Sequence, residues 1–300
     1  MTTAKHNGKA PVEMPVTWKN RNFITRVLLP SLLQPKSGKR ALHAPVFPKL
    51  DVGDIAVTWI GHASFLIQTR RHNILVDPNW ANWISVIRRL RHAGLAIEHL
   101  PKIDLVLITH AHFDHLNRRT LRAVAARQPI IVPDGVSGLV RGLGFDAVHE
   151  MGWWDTFEFK GLKIVFTPAK HWGARILVDR HRMYGGYIVE FEGRRVYHCG
   201  DSTYFDGFKE IGNRYAPEIT LMPIGAYQTP SGLDHHINPE QAVRAFTELK
   251  SKILVPMHFG TYPLSFEPPD EPPQRLMKAA LREGIVNKIR ILPEGKPRVF

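Results

Sequence analysis

A chain of 300 residues, 44% apolar and 22% charged, can bury a substantial core and has no low-complexity tract, which excludes a disordered or fibrous protein. No apolar run approaches the roughly 18 residues of a membrane span, and the single cysteine, Cys199, excludes an intrachain disulfide and points to the cytoplasm. The net charge of +13 favours an anionic partner, whether phospholipid surface, nucleic acid or phosphorylated small molecule, with solubility as the plain alternative.

The first 50 residues hold nine bases (Lys5, Lys9, Lys19, Arg21, Arg26, Lys36, Lys39, Arg40 and Lys49) against one acid, Glu13, and six prolines interrupt them. Residues 1–53 are therefore expected to be an irregular basic segment that packs on the body or on a membrane. Val27–Leu33 is too short, too late in the chain and too broken by Pro30 to be a signal peptide. From residue 54 the pattern becomes regular, and residues 54–300 read as one domain. Ile55–Trp59, Ser64–Gln68 and Ile74–Val76 read as an antiparallel meander. Asp104–Thr109 reads as a buried strand, Thr120–Arg127 as a helix and Ile130–Val132 as a strand. Leu162–Thr167, Tyr187–Phe191 and Arg195–Tyr197 follow as strands, then a helix over Phe205–Arg214 and a strand over Ile219–Met222. Pro239–Lys250 reads as a helix with Asn238 as its N-cap. A strand over Ile253–Met257, a helix over Pro273–Arg282 and a strand over Ile289–Leu292 complete the chain. Two successive batches of strands and helices suit an α/β fold of two mixed sheets packed face to face with helices outside, an αββα sandwich.

The chemistry concentrates in His110-Ala-His112-Phe-Asp114-His115, which directly follows the strand Asp104–Thr109. At a strand end, residues i and i+2 point the same way, so His110 and His112 can share one metal. Asp114 and His115 come after the chain has turned and can address a second. His171, Asp201 and His258 each follow a predicted strand, as does Asp77. Asp201 is the candidate bridge between two cations, whereas Asp77 reads as a supporting acceptor or turn former. Imidazole and carboxylate without thiolate suit two zinc ions, with manganese or iron as alternatives.

This pattern resembles the metallo-β-lactamase superfamily. The resemblance covers nearly all of residues 54–300 and implies His110, His112 and His171 on one metal, Asp114, His115 and His258 on the other, and Asp201 between them. Within the superfamily, Val57-Thr-Trp-Ile-Gly-His-Ala63, Thr167-Pro-Ala-Lys-His-Trp172, Gly200-Asp-Ser-Thr-Tyr204, Pro223-Ile-Gly-Ala-Tyr227, His236-Ile-Asn-Pro-Glu240 and His258-Phe-Gly-Thr261 resemble N-acyl-phosphatidylethanolamine-hydrolysing phospholipases D and their bacterial relatives. Ser202-Thr203 and His235 depart from that pattern and bear on the substrate.

The resemblance implies a dinuclear hydrolase in which two cations ionise a water held between them near neutral pH. A phosphodiesterase of phospholipase D type is the leading expectation, with Asp114, Asp201 and His236 in catalytic roles. His236 is the candidate acid or phosphate binder, and Tyr227, His235 and Trp172 are candidates for contacting substrate. The alternative is a lactonase on a phosphorylated sugar acid, which a related branch contains. A nuclease is disfavoured because no long Lys/Arg-rich insertion interrupts residues 54–300. A non-catalytic binding module is disfavoured because all seven ligand positions are filled. The protein is expected in the cytoplasm, with peripheral contact to the inner membrane face, and monomer and homo-oligomer both remain open.

Overall fold

A computed structural model describes residues 21–38, 40–175, 179 and 181–300. The bases at Lys5, Lys9, Lys19 and Lys39 and the acid Glu13 lie outside the described residues. Contrary to the irregular segment expected, residues 21–33 are helical: α1 (Arg21–Phe23), a π-helical stretch (Ile24–Leu28) and α2 (Leu29–Leu33) run on from one another. Pro30 does not break this run. It stands in the first turn of α2, where a proline's missing N–H costs least, and the widened π stretch precedes it.

β1 (Ile55–Gly61), β2 (Ser64–Thr69) and β3 (Asn73–Val76) form the antiparallel meander. A short hairpin follows, β4 (Trp83–Ile84) with β5 (Ile87–Arg88). Then β6 (Leu105–Leu107) pairs parallel with β3, and after α3 (Arg118–Val124) β7 (Ile130–Pro133) pairs parallel with β6. α4 (Ser137–Val140) leads to β8 (Val148–Met151), a strand the sequence pattern does not announce because it is only half buried. β9 (Thr156–Phe159), β10 (Leu162–Thr167), β11 (Gly186–Phe191) and β12 (Arg194–His198) form a second antiparallel run. α5 (Gly207–Tyr215), β13 (Ile219–Pro223), α6 (Pro239–Glu248), β14 (Ile253–Met257), α7 (Glu271–Arg282) and β15 (Arg298–Val299) complete the chain. Asn238 caps α6 in a reciprocal box with Gln241.

The sheets run β15-β1-β2-β3-β6-β7-β8 and β14-β13-β12-β11-β10-β9. Their facing sides share one core in which Val57, Trp59, Phe65 and Val76 of the first meet Phe166, Ile188, Val196 and Leu221 of the second. Residues of alternate pleat, such as Ile60, Leu66, Leu75 and Val106, pack instead against Leu121 and Val124 of α3. This is the αββα sandwich. The expected strand over Ile289–Leu292 is only a single bridge, Ile289 to Leu254 of β14, and the last strand is β15, which pairs with β1 at the edge of the other sheet. Pro293 cuts that apolar run short before it can form a ladder.

Candidate metal centre

β3, β6, β10, β12 and β14 all release the chain at one rim of the sandwich, which brings residues far apart in sequence within contact. His110 Nε2 lies 2.9 Å from His112 Nδ1, and His171 Nε2 lies 3.3 Å from the same nitrogen. Asp201 Oδ2 is 3.8 Å from His110 Nε2 and 3.9 Å from His171 Nε2. These four form one nest. A second joins Asp114, His115 and His258: Asp114 Oδ2 is 3.7 Å from His115 Nε2 and 3.5 Å from His258 Nε2. Asp201 Oδ2 also faces this nest, 3.2 Å from His115 Nε2 and 3.1 Å from His258 Nε2. One carboxylate oxygen thus serves both.

Each ring is aimed by what its other nitrogen touches. His115 Nδ1 is 2.7 Å from Asp77 Oδ2, which also accepts the Thr109 hydroxyl at 2.6 Å, while Asp77 Oδ1 accepts the Thr109 amide. His171 Nδ1 donates to the His235 carbonyl at 2.9 Å, and His110 Nδ1 is 3.0 Å from Thr109 Oγ1. Three non-glycine residues at this rim, His62, Asp77 and His258, have left-handed backbone (φ 56°, 43° and 61°), a strain of about 1–3 kcal/mol each that the surrounding packing must hold.

The electrostatics follow from burying charge without solvent. Burial alone would raise the Asp114 and Asp201 carboxyls, but His115 and His258, joined by His62 at Asp114, outweigh it and hold both well below the usual carboxylate range. Burial disfavours protonating His115 and His258, yet Asp201 and Asp114 overcome it. His115 is raised well above its ordinary value and His258 to about 9. His112, His171 and His236 are pushed down to about 3 by burial first and neighbouring imidazoles second. At this rim the carboxylates favour protonation of the imidazoles nearest them, while burial and neighbouring imidazoles oppose it.

The donors fit divalent cations. His115 Nε2, His258 Nε2, Asp201 Oδ1 and His236 Nδ1 are buried without a well-directed hydrogen bond. The donor atoms of His110, His112, His171 and Asp201 lie within 4.8 Å of one another, as do those of His62, Asp114, His115 and His258; tetrahedral bonds of about 2.0–2.2 Å would set ligand atoms about 3.3–3.6 Å apart. No thiolate joins them: Cys199 is buried, and burial pushes its thiol up to about 12.

One residue without a role in the sequence reading belongs here. His62, in the turn between β1 and β2, is 1% exposed, and its Nε2 lies 2.8 Å from Asp114 Oδ2. Its ring packs on those of His258 (4.0 Å) and Tyr262 (5.1 Å). Its amide donates to Thr261 Oγ1, and its carbonyl accepts from the Trp59 indole and the His258 amide. Gly61 precedes it at φ 128°, where a Cβ would stand 2.6 Å from Arg89 Nη2. The sequence signal was its place in Val57-Thr-Trp-Ile-Gly-His-Ala63, a stretch that carries the resemblance without a role for the imidazole.

The remaining candidates divide. His236 Nδ1 is 3.8 Å from Asp201 Oδ2, with its ring stacked on His258 at 5.1 Å. Trp172 lies against His112, ring centroids 4.3 Å apart, and 6.2 Å from His235. Tyr227 points elsewhere: its hydroxyl donates to Glu271 at 2.7 Å, with the Arg275 guanidinium over its ring. Trp59, whose indole holds the His62 carbonyl, is 1% exposed and belongs to the core.

A family model described as beta-lactamase superfamily domain matches residues 72–259. The chain is 34% identical over 228 residues to N-acyl-phosphatidylethanolamine-hydrolyzing phospholipase D 1 of Caenorhabditis elegans, covering 69% of this chain and 64% of that one. It is 30% identical over 244 residues to a UPF0173 metal-dependent hydrolase of Methanopyrus kandleri, covering 80% of this chain and 97% of that one. Among solved structures, the metallo hydrolase Igni18 of Ignicoccus hospitalis matches with a TM-score of 0.63 and 27% identity, over 82% of this chain and 98% of that one.

Proposed function

The chain belongs to the metallo-β-lactamase superfamily and is a metal-dependent hydrolase, and we propose that it hydrolyses phosphodiesters by a phospholipase D reaction, on N-acyl-phosphatidylethanolamine-like lipids or other organic diesters. The observation that carries this reading is the pair of adjoining nests joined at Asp201 Oδ2, with the uncommitted Nδ1 of His236 beside them. His110, His112, His171 and Asp201 would hold one divalent cation, and Asp114, His115, His258 and Asp201 a second. Bound cations would supply Lewis acidity toward the phosphoryl oxygens and an ionised water at neutral pH.

The chain's own residues do the rest. Asp77, the His235 carbonyl and His62 fix the orientation of His115, His171 and Asp114, so the rim is organised before substrate arrives. A diester carries one negative charge on its non-bridging oxygens and releases an alkoxide that needs a hydrogen-bond donor or a proton. Water oxygen joins phosphorus, the ester P–O bond on the headgroup side breaks, and the alcohol leaves with the proton. Burial pushes the His236 imidazole down to about 3, which favours the neutral ring, and a neutral imidazole offers one N–H to a non-bridging or departing oxygen. Trp172, half-buried against His112, gives the site an apolar flank for the organic part of the ester. Similarity to the nematode phospholipase D supports the substrate class. The test is a panel of phosphodiesters, N-acyl-phosphatidylethanolamine included, against lactones, with protein loaded with zinc or manganese. Turnover of lactones with none of diesters would overturn the reading, and inactivity of every metal-loaded preparation would overturn the hydrolytic site itself.

A further inference from the structure

The residues 21–33 helical run covers one side of the β4–β5 hairpin. Phe23 and Leu28 are buried with Ile84, Ile87 and Tyr262 in a small separate core, and Phe23 meets Phe266 edge-on at 5.5 Å. The Arg88 guanidinium closes the end of the run by donating to the carbonyls of Ser31 (3.1 Å), Leu32 (3.3 Å) and Gln34 (2.7 Å). Trp83 pairs directly with Arg88, and Lys36 reaches Asn82. Helix and hairpin are thereby one structural unit.

That unit also exposes large apolar side chains on both of its elements. Ile24, Leu29, Leu32 and Leu33 are exposed, Leu33 by 89%, and Trp83 and Val86 stand out at the hairpin, Trp83 by 51%. Leu29, Leu32 and Leu33 follow the i, i+3, i+4 spacing that places them on one helix side. Single exposed leucines need no explanation, but six large apolar residues on two elements tied together by Arg88 do. The charge around them has one sign: residues 21–50 and 80–92 contain no Asp or Glu, and Arg26 and Arg40 are exposed. Among the described residues no helix is long and apolar enough to cross a membrane, so such a surface can lie on a bilayer but not span it.

We propose that this helix and hairpin together form a docking surface for an anionic phospholipid bilayer. The leucines and Trp83 enter the headgroup region while Arg26 and Arg40 meet lipid phosphates. The surface adjoins the metal-binding rim: Tyr262, in the small core beneath the helix, lies 5.1 Å from the His62 ring, and His62 contacts Asp114. A chain docked this way holds its hydrolytic rim beside the headgroups. The inference deepens the phospholipid reading above and rests on it only for its purpose, not for the binding itself.

Sedimentation of the full chain with vesicles of phosphatidylcholine alone, or mixed with increasing phosphatidylglycerol, tests it. The expected result is co-sedimentation that rises with phosphatidylglycerol and falls with salt. Leu32→Glu, Leu33→Glu and Trp83→Glu should each lower partitioning about tenfold or more, as expected when a leucine-sized group leaves the apolar region, while circular dichroism and turnover of a water-soluble substrate stay unchanged. Binding indifferent to lipid charge and to these substitutions overturns the proposal. So does an oligomer, seen by light scattering, that the same substitutions convert to monomer without any vesicle binding, since the surface then joins two copies of this chain. Vesicle binding by a protein that hydrolyses only lactones would instead sink the lipid-substrate reading and leave the docking surface standing.

Discussion

Replacing His62 tests whether the turn between β1 and β2 organises the second nest. His62→Ala removes the 2.8 Å contact to Asp114, in which the side chains are 2% and 12% exposed. A hydrogen bond to a charged group in such surroundings is worth about 1.5–3 kcal/mol, which corresponds to a loss of roughly 10- to 150-fold in an equilibrium constant. That range matches the about 10–100-fold typical when the partner of a metal-binding side chain is deleted. The loss should fall on one cation. His62 and Asp114 lie in the group with His115 and His258, whereas His110, His112 and His171 gather with Asp201 in the other. Calorimetric titration of the metal-free protein with zinc should therefore show one event weakened and the other changed far less. The same asymmetry should appear when cobalt replaces zinc and its visible absorption is followed. His62→Gln, which can still donate toward Asp114, should recover part of the loss. Equal weakening of both events, or no weakening with the fold intact, would refute the argument that His62 acts through Asp114.

Asp201→Asn should lower metal content at both nests, because Asp201 Oδ2 faces both, while His110→Ala should empty mainly one; elemental analysis after dialysis distinguishes them. His236→Ala should keep metal and lose roughly 100-fold in turnover, within the range for a positioned acid–base or donor group, with greater loss on alkyl than on activated aryl esters. His236→Gln separates the two roles: recovery marks a hydrogen-bond donor, and no recovery marks proton transfer. Cys199, buried and with its thiol pushed up to about 12, should resist a thiol-specific reagent in the native protein at mildly alkaline pH, because the reactive thiolate accumulates only as pH nears that value. Unfolding should expose one reactive thiol per chain, and rapid labelling of the native protein would show that the thiol is not shielded.

The fold and the candidate ligand residue types were legible because both rest on short-range pattern. Alternating or continuous apolar runs marked β1, β2, β3, β10, β11 and β14, and Asn238 marked the start of α6. Where apolar pattern was weak or ambiguous the reading failed. β8 is half exposed, Ile289–Leu292 is apolar without becoming a ladder, and the helix over residues 21–33 was hidden by Pro30.

By itself the sequence determined which side chains end the buried strands, and so that imidazoles and carboxylates without thiolate would gather at one sheet edge. Tertiary structure alone decided how they share the work. Asp201 could be named a candidate bridge, but only the packing of β12 beside β13 and of the two sheets on each other places Oδ2 near both nests. Tyr227 belongs to the motif beside β13, yet its hydroxyl is spent on Glu271, 44 residues away. His62 has no role in the sequence until β1 and β2 pair into the sheet that also holds β6, which brings it against Asp114, 52 residues later. Hydrophobic periodicity is a property of neighbours along the chain, whereas a ligand set is a property of distances of a few ångström in space, and those are fixed only when the sheets close over their common core.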